Sequence, residues 1–259
     1  MKTIILCGGK GTRLREQTEF MPKPMVKIGD YPILLHIMNH YAHYGHKEFI
    51  LCLGYKSEII KEYFSNLSRF NDDFEMDFLG GQVTCLKKCI NYDYKIIFAE
   101  TGENTPTAER IKMVSGYLDE DLFMLTYGDG ISDININRLI AFHKKQERKF
   151  KTLVTISAVH PSSKYGKIQS NKDNVIEKFS EKPVLEDYIN GGFMVFNKKE
   201  MSYLKNGEML EKSLIRMTKA GKLSQYKHNG FWHSVDTMKD VEDLNNLWKN
   251  GKPWAVWEK

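Results

Sequence analysis

The 259-residue chain has no apolar run approaching the roughly 20 residues that a bilayer-spanning helix needs, and no internal repeat, low-complexity tract or flexible linker. Those absences argue against a helical membrane span, a solenoid and a string of tethered modules. They leave one continuous domain, 1–259, long enough for a sizeable core. Cysteine is scarce: Cys7 and Cys52 lie in apolar runs, Cys85 and Cys89 in a less regular region, and the Cys85-x3-Cys89 pair has no second pair at zinc spacing. The opening Met-Lys-Thr-Ile-Ile-Leu-Cys could pass for a secretory leader, but its apolar stretch ends at Gly8-Gly9-Lys10. The expectation is therefore a cytoplasmic protein with reduced thiols. Charge of one sign is also in short supply. A dispersed net +5 suits an anionic small substrate and is too weak for nucleic acid, and no membrane partner is expected.

What is present, 41% apolar and 27% charged residues, is the composition of a globular domain. "KTIILCGG" is continuously apolar and ended by glycines, as a strand buried on both faces must be. Helical spacing follows over 33–44, then the strand "EFILCLGY" and the helix "SEIIKEYFSNL", with Ser57 as its expected N-cap. After an interrupted polar insertion at 67–94 the rhythm resumes: "YKIIFAE", "TAERIKMVSGYL", "DLFMLTYGDG", "INRLIAFHKKQ" and "KTLVTISAV". This order predicts an α/β fold with a doubly wound, Rossmann-like, mixed but mostly parallel sheet that binds ligands at the carboxyl ends of its strands. Shorter strand pieces, a helix over 210–220 and a last helix over 239–251 make up the second half. Residues 1–150 are read as mainly nucleotide-binding, 151–259 as mainly acceptor-binding. His36, His40 and His43 share a helix face, but no carboxylate or Cys closes a metal set there.

The first strand runs into Gly8-Gly9-Lys10-Gly11-Thr12-Arg13. Glycines let backbone N–H groups come close to phosphates. The loop lacks the Gly-Lys-Ser/Thr of a Walker loop and the third Gly of a dinucleotide fingerprint, so an NAD-type oxidoreductase is disfavoured. It adds instead Arg13, a fork of donors for phosphate oxygens, and Lys23, held between Pro22 and Pro24 in what reads as a stiff extended segment.

These residues carry a resemblance. The loop with "PKPM", followed in order by "GYKSEIIKEYF", "TYGDGISDININRLIAFH", "EKP", "INGGFMVFN" and "GFWHSVDTMKD", resembles the nucleotidyltransferase, or sugar-nucleotide pyrophosphorylase, family over nearly the whole length. Within it the chain is most similar to the glucose-1-phosphate cytidylyltransferase branch. The resemblance implies Mg²⁺-dependent transfer of a cytidylyl group from CTP to a phosphorylated small-molecule acceptor, glucose 1-phosphate first. Arg13, Lys23, Asp129 and Lys182 are implied as catalytic, and Asp129 and Asp236 as metal carboxylates. Leu6, Gly8, Gly9, Gly11, Thr12, Arg13, Thr107 and Arg110 are implied around the nucleotide, with Thr107 and Arg110 at the base. Tyr165, Gly166, Glu181, Lys182, Asn190 and Gly191 are implied around the acceptor. Each has a plainer reading: Asp129 as a turn former, Lys182-Pro183 as a strand end, Asn190-Gly191 as a hairpin turn.

One segment departs from the family pattern. Thr107-Ala108-Glu109-Arg110 stands where such enzymes carry Thr-Gly-Gly-Arg, and the added bulk and carboxylate are expected to crowd the cleft. That leaves room for a smaller acceptor, such as glycerol phosphate or another polyol phosphate. A regulatory homologue that binds nucleotide without turnover is a further alternative. The insertion, with Phe70, Phe74, Phe78 and Leu79, is expected to pack on a second subunit of a homo-oligomer, or else as a flap on its own domain.

Overall fold

β1 (Thr3–Leu6) is buried along its whole length. Ile5 enters one hydrophobic core while Ile4 and Leu6 enter the other, since successive side chains of a strand point to opposite faces. The computed structural model describes residues 1–67, 73–87, 92–163 and 165–258. After β1 come α1 (Arg15–Thr18), β2 (Lys27–Ile28), β3 (Tyr31–Pro32), α2 (Ile33–His43), β4 (Glu48–Leu53) and α3 (Ser57–Ser65). Then follow β5 (Asp73–Asp77), β6 (Gln82–Lys87), β7 (Lys95–Glu100), α4 (Thr107–Met113), β8 (Leu122–Tyr127), β9 (Gly130–Ser132) and α5 (Ile136–Phe150). The second half adds β10 (Val154–Val159), β11 (Lys167–Ser170), β12 (Ile176–Ser180), β13 (Ile189–Asn190) and β14 (Met194–Asn197), then α6 (Leu210–Lys219), β15 (Leu223–His228), β16 (Trp232–Ser234) and α7 (Met238–Lys249).

Eight strands form the central sheet in the order β13-β10-β14-β8-β1-β4-β7, with β15 also on β10. β7, β4, β1 and β8 run parallel, and β14 lies antiparallel between β8 and β10. The sheet is thus mixed and mostly parallel, as expected, and it takes strands from both halves of the chain. β1 sits between β4 and β8, so the glycine loop leaves the sheet at its centre, where an α/β sheet opens a crevice.

Three local readings change. Ser57 is the first helical residue of α3 rather than its cap; Lys56 precedes it in the left-handed region (φ 50°) and no side chain caps the helix. Lys23 opens a tight 3-10 turn over Lys23–Met25 after an extended Pro22, rather than lying in an extended segment. The plainer, hairpin-turn reading of Asn190 also fails: in β13 it pairs with Ala158 of β10. His36 and His40 are core residues, their Nε2 atoms 2.8 Å from the carbonyls of Ile28 and Ile134, and burial pushes both down to about 4. Among the described residues no group of three or more ligating side chains could hold a metal. The insertion is a hairpin of β5 and β6, exposed along both strands rather than folded back as a flap. Phe70 and Cys89 lie outside the described residues.

Candidate active site

Two carboxylates far apart in sequence are brought together by one short strand pair. β9 pairs with β16 in the register Gly130↔Ser234, and Val235 N donates to Asp129 O at 2.9 Å, so Asp129 and Asp236 emerge side by side. Between them stands Lys23, whose Nζ donates to Asp129 Oδ2 at 2.7 Å and Asp236 Oδ1 at 2.9 Å. Arg13 approaches from the solvent side, 3.5 Å from the same Asp236 oxygen. Burial opposes the charge on Lys23, but the two carboxylates outweigh it and hold the ammonium above its usual range. Burial opposes ionisation of Asp236 as well, and the hydrogen bond and charge of Lys23 override it and pull the carboxyl down. Two neighbouring carboxylates, with substrate phosphate oxygens and water to complete the shell, are the donor set a small hard divalent cation takes.

This cluster stands where two cavities meet. The first, about 420 Å³, is lined by Leu6, Gly8, Gly9, Gly11, Thr107, Tyr127, Met209 and Arg110 together with Lys23 and Asp129. The second, about 550 Å³, is lined by Lys182, Trp232, His233, Ser234 and Asp236 among others. Thr12 faces neither; it lines a smaller cavity of about 250 Å³ with Lys10, Thr18, Glu19 and Tyr55. Gly11 (φ 60°) turns the loop where an added Cβ would meet Thr18 Cγ2 at 2.8 Å, so only glycine fits the bend. Lys182 reaches the second cavity from a left-handed backbone position (φ 45°).

The remaining acceptor candidates do not line that cavity. Tyr165 is 78% exposed, and Gly166 packs under the Phe179 ring and the Glu181 carboxylate. Asn190 Oδ1 accepts from Gly192 N at 3.1 Å, and Gly191 O accepts from the Trp232 indole at 2.7 Å, fixing a ring that does line the cavity.

At the base end the geometry corrects the expectation for Arg110. It is 3% exposed, and its donors are taken up by Thr105 O (2.8 Å), Leu53 O (2.9 Å), Thr101 Oγ1 (2.6 Å), Gly8 O (3.2 Å) and Glu103 O (3.1 Å). A guanidinium has five N–H groups, so none is left for a base. Thr107 Oγ1 accepts from Leu210 N at 2.7 Å. Nor does the departure at 108–109 crowd the cleft. Ala108 is buried in the second core, and the Glu109 carboxylate turns to Gly207 N at 2.8 Å, so neither lines the first cavity.

Sequence reasoning missed three parts. Tyr127 lines the first cavity and donates to Glu211 Oε1 at 2.9 Å; nothing in its spacing announces it. Met209 enters only because the 205–210 turn is tied to α4. Asp240 Oδ2 accepts from Asp236 N (2.9 Å), Thr237 N (2.7 Å) and Thr237 Oγ1 (2.9 Å), a capping box that "TMKD" does spell out.

The nucleotidyl transferase family profile matches residues 2–250. The chain belongs to that family. A probable glucose-1-phosphate cytidylyltransferase of Bacillus subtilis is 41% identical over 99% of this chain and 100% of its own length. The glucose-1-phosphate cytidylyltransferase of Salmonella typhimurium is 38% identical over the full length of both. Among solved structures, the inositol-1-phosphate CTP transferase from T. maritima superimposes with a TM-score of 0.64 at 18% identity, covering 96% of each chain, which shows a shared fold. This nucleotidyltransferase therefore has its family's sheet, with the Lys23 cluster at its carboxyl edge.

Proposed function

We propose that this nucleotidyltransferase is a Mg²⁺-dependent cytidylyltransferase that joins CTP and a sugar 1-phosphate, glucose 1-phosphate first, to give a CDP-sugar and pyrophosphate. The observation that carries the chemistry is the contact of Lys23 with both Asp129 and Asp236 where the two cavities meet. The full-length likeness to two cytidylyltransferases supports the base and the acceptor. A phosphate oxygen of the acceptor attacks the α-phosphorus of CTP, and the bond from that phosphorus to the β-bridging oxygen breaks as pyrophosphate leaves. Catalysis is then positioning and charge neutralisation, with no covalent nucleophile. Asp129 and Asp236 would hold the Mg²⁺, which supplies positive charge against the phosphate oxygens. Gly11 and Arg13 take the departing phosphates, and Lys23 stabilises the reacting one. Lys182, with Trp232 held by Gly191, bounds the acceptor, while Glu181, Asn190 and Tyr165-Gly166 shape its surroundings.

Because Glu109 faces away from the cleft, the ground for a smaller polyol phosphate falls away. Pyrophosphate release with CTP, Mg²⁺ and a panel of phosphorylated acceptors tests the reading. Turnover with glucose 1-phosphate is expected. Turnover only with a polyol phosphate would move the acceptor, and none with any would favour a non-catalytic homologue. We read the exposed apolar side chains of the β5–β6 hairpin, Phe78 at 89% and Leu79 at 102%, as the contact of a homo-oligomer. Light scattering at micromolar concentration checks it, and a 30.2 kDa particle would overturn it.

A further inference from the structure

Arg110 is a charged side chain buried within the wall of the nucleotide cavity, and its position there is costly to arrange. Gly8 and Gly54 both make room for it: a Cβ at either would meet the NH1 atom, at 2.0 and 2.8 Å. Burial pushes its guanidinium down from the usual range. Charged groups are held in such places only when hydrogen-bonded throughout, and this one is bonded to the ends of three strands' loops.

Three of those bonds fix how the cavity wall faces. NH2 draws in both Gly8 O and Glu103 O, and Nε draws in Thr105 O. In a planar trans peptide the N–H points opposite to the C=O. With the carbonyls of Gly8 and Glu103 turned back to the guanidinium, the N–H groups of Gly9 and Asn104 face the cavity that both residues line. Among the described residues neither N–H donates to a protein oxygen. The third peptide ends in Pro106, which has no N–H to present. Because two of the carbonyls share one nitrogen, their peptides lie side by side.

We infer that Arg110 is a positioning residue that selects the base without touching it: by holding these peptides it presents the N–H groups of Gly9 and Asn104 as donors to the acceptor edge, O2 and N3, of cytosine. Uracil carries a hydrogen on N3, so the second contact becomes donor against donor, and a site built to pair polar groups discriminates strongly against a ligand that leaves them unpaired. This rests on the cytidylyl reading above.

The test compares kcat/KM for CTP, UTP and 3-deaza-CTP, in which a C–H replaces N3, at saturating acceptor. The enzymes are the wild type, Arg110→Lys and Thr101→Val; Thr101 accepts from Arg110 away from the cavity. The wild type is expected to prefer CTP over both alternatives by about a hundredfold or more. Arg110→Lys is expected to narrow that to within about tenfold, chiefly by losing CTP efficiency, and Thr101→Val to narrow it less. If Arg110→Lys does not fold, Thr101→Val and 3-deaza-CTP decide the same point. A wild type that prefers CTP over UTP, with variants that lose both nucleotides in equal proportion, would overturn the inference alone. So would equal use of CTP and 3-deaza-CTP by the wild type. Equal or better use of UTP by the wild type would overturn both this inference and the cytidylyl reading.

Discussion

Lys23 is the side chain on which the site's charge balance turns. Removing it leaves Asp129 and Asp236 facing each other without a cation between them, and removing Asp129 leaves the ammonium without its shortest partner at 2.7 Å. Lys23→Ala and Asp129→Ala are each expected to lower kcat by at least about two orders of magnitude, the ~3–4 kcal/mol typical of a preorganised charge at a transferring group. The melting temperature should change little, since these side chains border the open cavity. Steady-state rates with CTP and glucose 1-phosphate, beside thermal melts, check both halves. Arg13 and Lys23 could be named from the chemistry of the glycine loop and its prolines, whereas Asp129 and Asp236 could be named only through the family resemblance of their segments. Arg110 could be named too, but not its role: the carbonyls that absorb its donors come from residues 8, 53, 103 and 105, and no spacing reveals that they converge.

Among the elements, the carboxyl-end loops matter more than the strands that bear them. α7 begins two residues after Asp236, and Asp240 of its capping box grips Asp236 N and both donors of Thr237. The helix cap and the carboxylate proposed to hold Mg²⁺ are thus tied together by these bonds. Asp240→Asn is expected to cost about 1 kcal/mol of stability as a lost cap and, separately, to raise the Mg²⁺ concentration for half-maximal rate severalfold. Metal titration against a denaturant melt separates the two effects. The buried strands β1, β4, β8 and β10 were legible because a sheet covered on both faces demands unbroken apolar runs. The hidden features are those set by partners: Lys56 taking the place expected of Ser57, Lys23 tightening into a turn, and Asn190 drawn into a ladder with Ala158.

Across the whole molecule, stability should depend on acid through the buried imidazoles of α2. His36 and His40 titrate near 4 when folded against 6.5 for the free side chain. A folded value below the unfolded one means that the unfolded chain takes the proton first. Their contribution is therefore present above pH 6.5 and is lost as pH falls toward 4, roughly 3 kcal/mol for each. Urea midpoints measured across that window should fall with a slope corresponding to about two protons. A flat profile would mean that the two rings do not set the acid limit.

β14, the antiparallel strand wedged between β8 and β10, also governs how the chain can be made and cut. Its residues leave the ribosome after both of its neighbours, and β15 and β16 come later still. During synthesis the first 150 residues must wait with the β8 edge unpaired, and such edges invite association with other chains. A fragment ending at residue 150 should accordingly be insoluble or lack a cooperative melt. Co-expressing residues 151–259 as a separate chain should rescue it, because the missing strand is then supplied in trans.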